Sequence, residues 1–246
     1  MIRKDEGVVL KTARSGETSR IVTFLGRESG KVRLLAKGAL KEASPLRGLL
    51  EPGSHVEVLF YFAEDRSLYY LKEAHAYSAL ETGRESLDRM VAALAALELL
   101  DRVCYQESPE PRIVDLLVDY LSNPDGEDPL YLFLAFELKL LEVLGAIPDF
   151  ARCASCGDEL VRGFFHPDDG ESRCARHSDP SRRRIALDGE LVRALADLEG
   201  EPLGNLARRK AGRALRKRLG GILHWTYTLH VENYRLPESL KLLPKE

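Results

Sequence analysis

Two short stretches carry the residues best suited to chemistry, CASCG from Cys153 to Gly157 and CARH from Cys174 to His177. Together they read Cys153-x2-Cys156-x17-Cys174-x2-His177, the pattern of two close ligand pairs held apart by roughly 15 to 20 residues that a zinc ion takes. Two intervening residues in each pair let a tight turn aim both side chains at one ion, and Gly157 supplies the backbone freedom that such a turn uses. Three thiolates and a neutral imidazole around a divalent cation leave a net negative charge, and Arg152, Arg173 and Arg176 stand beside the ligands to offset it. Four protein ligands leave no open position for water, so the expected site is one structural Zn2+ per chain rather than a catalytic one. His166 lies inside the spacer without paired spacing, which makes His177 the preferred fourth ligand. The remaining cysteine, Cys104, falls at a helix end and is expected to be a buried small side chain.

No other constellation supports catalysis. The chain contains no GxGxxG, GxSxG or HExxH. GRESGKV from Gly26 has one residue too few between its glycines for a phosphate loop, and Val32 where a magnesium-binding hydroxyl belongs, so it reads as a turn between strands. Asp168 and Asp169, flanked by Pro167 and Gly170, read as the turn of a hairpin. His55, His75, His224 and His230 have no nucleophile nearby in sequence. No catalytic residue is assigned, and a binding protein is expected.

The elements that must position the cluster are readable from periodicity. Alternating runs GVVLKTA from Gly7, SRIVTFLG from Ser19, KVRLLAK from Lys31, HVEVLFYF from His55 and LYYLKEA from Leu68 predict five strands separated by turn signals. That count, with a longer third connection, fits a small Greek-key barrel of the OB type, and an SH3-like barrel fits nearly as well. After Tyr77 the period becomes helical, with an apolar stripe at Leu87, Met90, Val91, Leu94, Leu97 and Leu100 and alanine-rich filler at 92 to 96. PRIVDLLVDYLS starts with Pro111, and DPLYLFLAFELKLLEVLGA offers Asp128 as N-cap, Pro129 after it and Gly145 near its end. Periodicity lapses between Ile147 and about Arg184, where the cysteines lie. LDGELVRALADLEG and one long segment from Leu203 to about His230 then predict two more helices. The expected fold class is α+β multidomain: an N-terminal OB-type β-barrel over 1–80, a helical domain in two parts over 81–148 and 185–246, and an inserted zinc-binding module over 149–184.

The chain has 246 residues, 44% hydrophobic and 30% charged, enough for more than one compact unit. MIRKDEGVVLK carries no apolar signal segment, and LYLFLAF from Leu130 is interrupted by Glu137 and Lys139 well short of the roughly 20 residues of a membrane span. A cytoplasmic protein without membrane contact is expected, and cysteines so clustered do not suggest a disulfide framework.

The net charge of -3 conceals opposed regions: residues 1–50 hold 11 Lys and Arg against 5 Asp and Glu, whereas residues 81–150 hold 5 against 15. Such segregation suggests separate partners for separate faces. In the barrel, Arg14, Arg20, Lys31, Arg33, Lys37, Lys41 and Arg47 recur where acids are few, and period two sends Lys31, Arg33 and Lys37 to the side opposite Val32 and Leu34. A cationic strip on a barrel face is where OB-type modules hold nucleic-acid strands. Among Phe24, Phe60, Tyr61, Phe62, Tyr69 and Tyr70, alternation leaves at most two or three free to stack on bases. A second cationic stretch, NLARRKAGRALRKRLG, carries Arg208, Arg209, Lys210, Arg213, Arg216, Lys217 and Arg218. It is equally suited to extending a nucleic-acid path, meeting an acidic protein, or pairing with the chain's own acidic helices.

GETSRIVTFLGRESGKVRLLAKGALKEASPLRGLLEPGSHVEV and FELKLLEVLGAIPDFARCASCG, in that order, resemble the recombination mediator protein O family, RecO, and the likeness extends over essentially the whole chain. His177 stands where that family usually has a fourth cysteine. The resemblance implies an OB-fold joined to a helical domain with an inserted zinc module, with Cys153, Cys156, Cys174 and His177 as ligands. It implies binding of single- and double-stranded DNA without nucleotide hydrolysis, annealing of complementary strands, and cooperation with RecR and single-strand-binding protein to load RecA during recombinational repair. Lys31, Arg33 and Lys37 are the barrel residues matched to DNA. Two other readings fit the residues alone: an OB and zinc protein acting on structured RNA, because a backbone-reading cationic face does not tell ribose from deoxyribose, and a protein-only adaptor.

Overall fold

In the computed structural model, which describes residues 1–78, 86–123 and 126–243, alternation becomes a closed barrel. Its strands are β1 (Ile2–Ser15), β2 (Ser19–Gly26), β3 (Gly30–Ala36), β4 (His55–Tyr61) and β5 (Tyr69–Ser78), in the order β1-β2-β3-β5-β4, with β4 paired back to β1. All pairings are antiparallel except β3 with β5, which is parallel and limited to Leu34↔Tyr69 and Leu35↔Tyr70. This order makes the barrel OB-like and removes the SH3-like alternative. Val22, Phe24, Val32, Leu34, Val58 and Phe60 point inward as the alternation requires, and all are buried. GRESGKV forms the β2–β3 turn: Asp5 accepts the N–H groups of Glu28 and Ser29 and the Ser29 hydroxyl there.

The chain divides into two compact units, Met1–Pro124 with Pro237–Glu246, and Asp125–Leu236. In the first, α1 (Leu87–Val103) and α2 (Pro111–Leu121) lie against the outside of β1 and β2. The expected apolar stripe of α1 shifts: Leu87 and Met90 are exposed, while Ala92, Ala95 and Ala96 are buried with Leu99 and Leu100. The alanines are thus contact surface rather than filler. The α1–α2 connection is latched to the barrel at Glu107, whose N–H donates to the Lys31 carbonyl (3.1 Å) and whose carboxylate accepts the Tyr69 hydroxyl (2.6 Å). Glu107 adopts φ 55, a left-handed conformation uncommon outside glycine that these two bonds hold in place. Gly30, at φ +65, lies so close to Ser108 that a Cβ would come within 2.7 Å of that residue's backbone.

The second unit packs α3 (Pro129–Val143) against α4 (Gly189–Gly200), the short α5 (Leu203–Leu206) and α6 (Arg213–His230). Asp128 caps α3 as expected, accepting the Tyr131 N–H at 3.1 Å. Between α3 and α4 lies a small sheet, β6 (Gly163–His166), β7 (Glu171–Arg173) and β8 (Ile185–Leu187), in the order β7-β6-β8, and Pro167 to Gly170 form its hairpin turn. The single helix expected from Leu203 to His230 is broken. Residues 207–212 leave the helix because the Ala211 N–H and the Arg216 side chain turn back to Asp128, at 3.1 and 2.5 Å, while the Glu127 N–H takes the Ala207 carbonyl. Among the described residues no helix is long and apolar enough to cross a membrane.

Glu137 sits mid-α3, 4% exposed, and burial alone pushes its carboxyl up to about 8. The folded chain therefore keeps a proton that the unfolded chain releases near the ordinary carboxylate value, and stability falls as pH rises between the two. Thermal melts from pH 5 to pH 8 should show a decline in Tm that Glu137→Gln reduces. Identical slopes in the two proteins would contradict this assignment.

Candidate metal centre and nucleic-acid surface

Cys153, Cys156, Cys174 and His177 converge, their ligand atoms all within 4.8 Å of one another. His177 Nδ1 lies 3.3 Å from the Cys174 sulfur and 3.8 Å from that of Cys153. Ligand atoms around a tetrahedral metal with bonds of about 2.3 Å are separated by roughly 3.8 Å, so the cluster has the dimensions of a metal site. Each pair is a tight turn: the Gly157 N–H returns to the Cys153 carbonyl (2.8 Å), and the N–H groups of His177 and Ser178 return to that of Cys174 (3.0 and 2.9 Å). Gly157 takes φ +74, the conformation for which glycine is needed there. The two turns are stitched together by Ala154 N–H to the Ser172 carbonyl (2.9 Å) and Cys174 N–H to the Cys153 sulfur (3.3 Å).

The electrostatics are those of a cation site. Burial opposes a thiolate at Cys153, but N–H groups of Cys174, Cys156 and Ser155 and the His177 ring outweigh it and bring the thiol down to about 6. Cys174 is lowered in the same way, burial being overcome by the N–H groups of His177 and Arg176. At Cys156 the Asp158 N–H favours the thiolate, yet burial and the adjoining sulfurs and carboxylate prevail and push it up to about 11. Three sulfurs this close cannot all be anionic without a positive charge among them. Of the three arginines expected to compensate, Arg176 does so, hydrogen-bonding Cys174 while pairing with Asp158 at 2.8 Å. Arg173 is instead engaged by Asp169 and Glu171, and Arg152 makes no ion pair among the described residues. His166 lies outside the cluster, fully buried, with Nε2 3.1 Å from the Ser178 hydroxyl. Cys104 is buried at the end of α1, and burial pushes its thiol up to about 11.

The barrel cations separate into groups. Lys31 is drawn off the surface, its side chain 13% exposed, donating to the Asp101 carbonyl with the Asp101 carboxylate 3.7 Å away. Arg33 points outward and forms no ion pair among the described residues. Lys37 Nζ stands 4.6 Å from the ring of Tyr70, which is exposed and register-paired with exposed Tyr61. Arg14 and Arg20 face each other across the β1–β2 turn and, with Arg47, line a groove of about 760 Å³ that also contains Glu17 and Glu51. Arg20 is held by Glu51 at 2.6 Å; Arg14 and Arg47 have no such partner among the described residues, and Lys41 is exposed beside the groove. Phe24, Phe60 and Tyr69 are buried, and Phe62 is half-buried beneath Arg3.

The second cationic stretch is largely neutralised within its own unit. Arg209 pairs with Asp197 (2.8 Å) and Glu201, Lys210 with Glu127 (2.8 Å), Arg216 with Asp128 and Arg218 with Asp188 (2.7 Å). Arg208 and Lys217 are exposed without ion partners among the described residues, and Arg213 opens α6 on the surface. Sequence reasoning overlooked Asp101 and Glu107, which tie β3 to the helices; their only signal was acidity in a segment already counted as acidic.

Comparison with known proteins joins these observations. The model described as Recombination protein O N terminal matches residues 1–79, and that described as Recombination protein O C terminal matches residues 84–240. Proteins named DNA repair protein RecO from Exiguobacterium sibiricum and Bacillus cytotoxicus are each 33% identical to this chain. The first match covers 79% of this chain and 78% of the relative, the second 80% and 79%. A Bacillus cereus protein of the same name is also 33% identical, over 80% of this chain and 79% of its own. With an OB-like barrel, a helical unit and a metal-sized cysteine and histidine cluster in the matching order, the chain belongs to the RecO family of DNA repair proteins.

Proposed function

We propose that the chain is a non-enzymatic, cytoplasmic repair protein that binds single- and double-stranded DNA on its barrel and anneals complementary strands without nucleotide hydrolysis. With RecR it mediates loading of RecA onto single strands coated by single-strand-binding protein. The observation that carries this reading is the outer face of the barrel, where Arg33 and Lys37 have no carboxylate partner among the described residues and Lys37 lies by exposed Tyr70, the register partner of exposed Tyr61. Guanidinium and ammonium groups neutralise phosphates, and the tyrosines offer faces on which bases stack without sequence preference. Ala36, which precedes Lys37, is the register partner of Arg20, so this face runs on toward the groove of Arg14, Arg20 and Arg47. Lys31 serves the barrel's attachment to α1 instead.

Zinc is the ion that suits three cysteines and a histidine, and with four protein ligands it would stabilise the fold and perform no reaction. Its role is to hold the two turns and the β6–β7 hairpin together between α3 and α4.

Two fluorescent complementary strands, mixed with the protein in the absence of ATP, should anneal faster than alone, and less so as salt rises. A preference for the RNA counterparts would favour an RNA-binding protein, and no acceleration of either would favour an adaptor between proteins. Arg33→Glu with Lys37→Glu should weaken DNA binding across sequences and reduce the slope of log affinity against log salt by roughly 2, with an unchanged Tm. Lys31→Ala should instead lower Tm; a Lys31 variant that melts normally but fails to bind DNA would return that residue to the interface. Cys156→Ser should lose bound metal and melt at least roughly 5 °C lower, with annealing by the folded fraction retained. A metal-free variant of unchanged Tm would contradict the structural role.

A further inference from the structure

The second unit holds an arginine-rich surface that lies outside both cationic stretches discussed so far. Ser181 to Ile185 read SRRRI, and the three arginines have different fates. Arg182 is held by Asp169 at 2.9 Å, the same carboxylate that takes Arg173. Arg183 and Arg184 have no carboxylate partner among the described residues; each lies over an aromatic ring instead. The Arg183 guanidinium is 4.5 Å from the centroid of Trp225 on α6, and that of Arg184 is 4.2 Å from the centroid of Phe164 on β6. Arg184 also donates to the Ser178 hydroxyl at 3.2 Å, which fixes its direction. Both rings are half-buried, and both arginines are exposed. Phe164 owes its place to strand alternation: Phe165 points into the unit's core against Phe150, and Phe164 points the other way.

We propose that Arg183 and Arg184, lying over Trp225 and Phe164, form a second contact for single-stranded DNA, on the unit that carries the cysteine and histidine cluster. A guanidinium is planar and can stack on both faces. With one side toward an anchored ring, the other side of the exposed group is open to a nucleobase, and the N–H groups not taken by the Ser178 hydroxyl remain for the phosphate. Two such platforms on consecutive residues match a polymer that alternates flat bases with anionic links; an acidic peptide would satisfy the charges and leave the stacking faces unused. The inference rests on the DNA-binding reading above and adds a site to it.

Trp225 is the sole tryptophan of the chain, so its emission reports on this surface alone. The full-length protein is titrated with end-labelled dT15, with label anisotropy following total binding and tryptophan emission following the site. Emission should change with dT15 and not with an abasic 15-mer of equal charge. The change should persist in Arg33→Glu with Lys37→Glu, though at higher DNA concentration. Arg183→Gln with Arg184→Gln should abolish it and weaken dT15 binding roughly fivefold to tenfold, with an unchanged Tm. Single replacements Arg183→Gln and Arg184→Gln provide the same reading if the double variant folds poorly. Anisotropy that rises while tryptophan emission stays constant would overturn this site and leave the barrel reading intact, whereas no rise with either protein would overturn both. An emission change of equal size from the abasic strand or from a poly-glutamate peptide would also overturn it, since stacking would then play no part.

Discussion

The second unit turns on one buried carboxylate. Asp128 is 6% exposed, and its oxygens are divided between the first turn of α3 and the start of α6, accepting from Tyr131, Ala211 and Arg216. A carboxylate withdrawn from water is costly unless its lone pairs are used and an opposite charge is at hand. Residues 83 and 88 positions further along the chain meet both conditions, and they do so only if the chain turns before α6. With that turn in place, α3 meets α6 so that the Tyr227 hydroxyl reaches the Glu137 carbonyl at 2.8 Å, and the cysteine and histidine module is spliced in between α3 and α4.

Charge works differently in the first unit. The basic N-terminal region and the acidic segment after it look like two surfaces for two partners, yet Lys11 and Lys31 both reach Asp101, and Arg27 reaches Asp115 and Glu6. Part of the imbalance therefore attaches α1 and α2 to the barrel. What remains outward at Arg14, Arg33, Lys37 and Arg47 is smaller than the composition suggests, and it falls in two places, the groove of Arg14 and Arg47 and the face where Lys37 meets exposed Tyr70. Exposed ion pairs add little stability individually; their effect here is to sort cations into those that meet α1 and α2 and those left facing solvent.

Features governed by local rules were legible in the sequence. Period-two alternation placed Val32 and Leu34 inside and Arg33 outside, Asp128 and Pro129 marked the start of α3, and the cysteine spacing picked out the four residues that converge to a metal-sized cluster, with His177 rather than His166. Features set by distant partners were not. Nothing local marks Lys31 for Asp101, since its place in the alternation is the same as that of Arg33. The break before α6 was hard to see because LARRKAGRAL is made of good helix formers except Gly212, which becomes the N-cap of α6, and the bonds to Asp128 fix the turn there. SRRRI passed unnoticed because it lies where periodicity lapses, and its meaning depends on Trp225, forty residues later.

The barrel is held shut at its narrowest pairing by a group outside the sheet. Among the described residues β3 pairs with β5 only at Leu34↔Tyr69 and Leu35↔Tyr70, while its other edge is zipped to β2 along its whole length. The seam is closed from outside the sheet: the Glu107 N–H holds the Lys31 carbonyl of β3, and the Glu107 carboxylate holds the Tyr69 hydroxyl of β5. The connection between α1 and α2 is thus a clasp across the shortest pairing of the barrel, and the strand it fastens is the one that presents Arg33, with Tyr70 following Tyr69 on the other side. The spacing of the outer cationic face is set in part by a loop that lends it no cation.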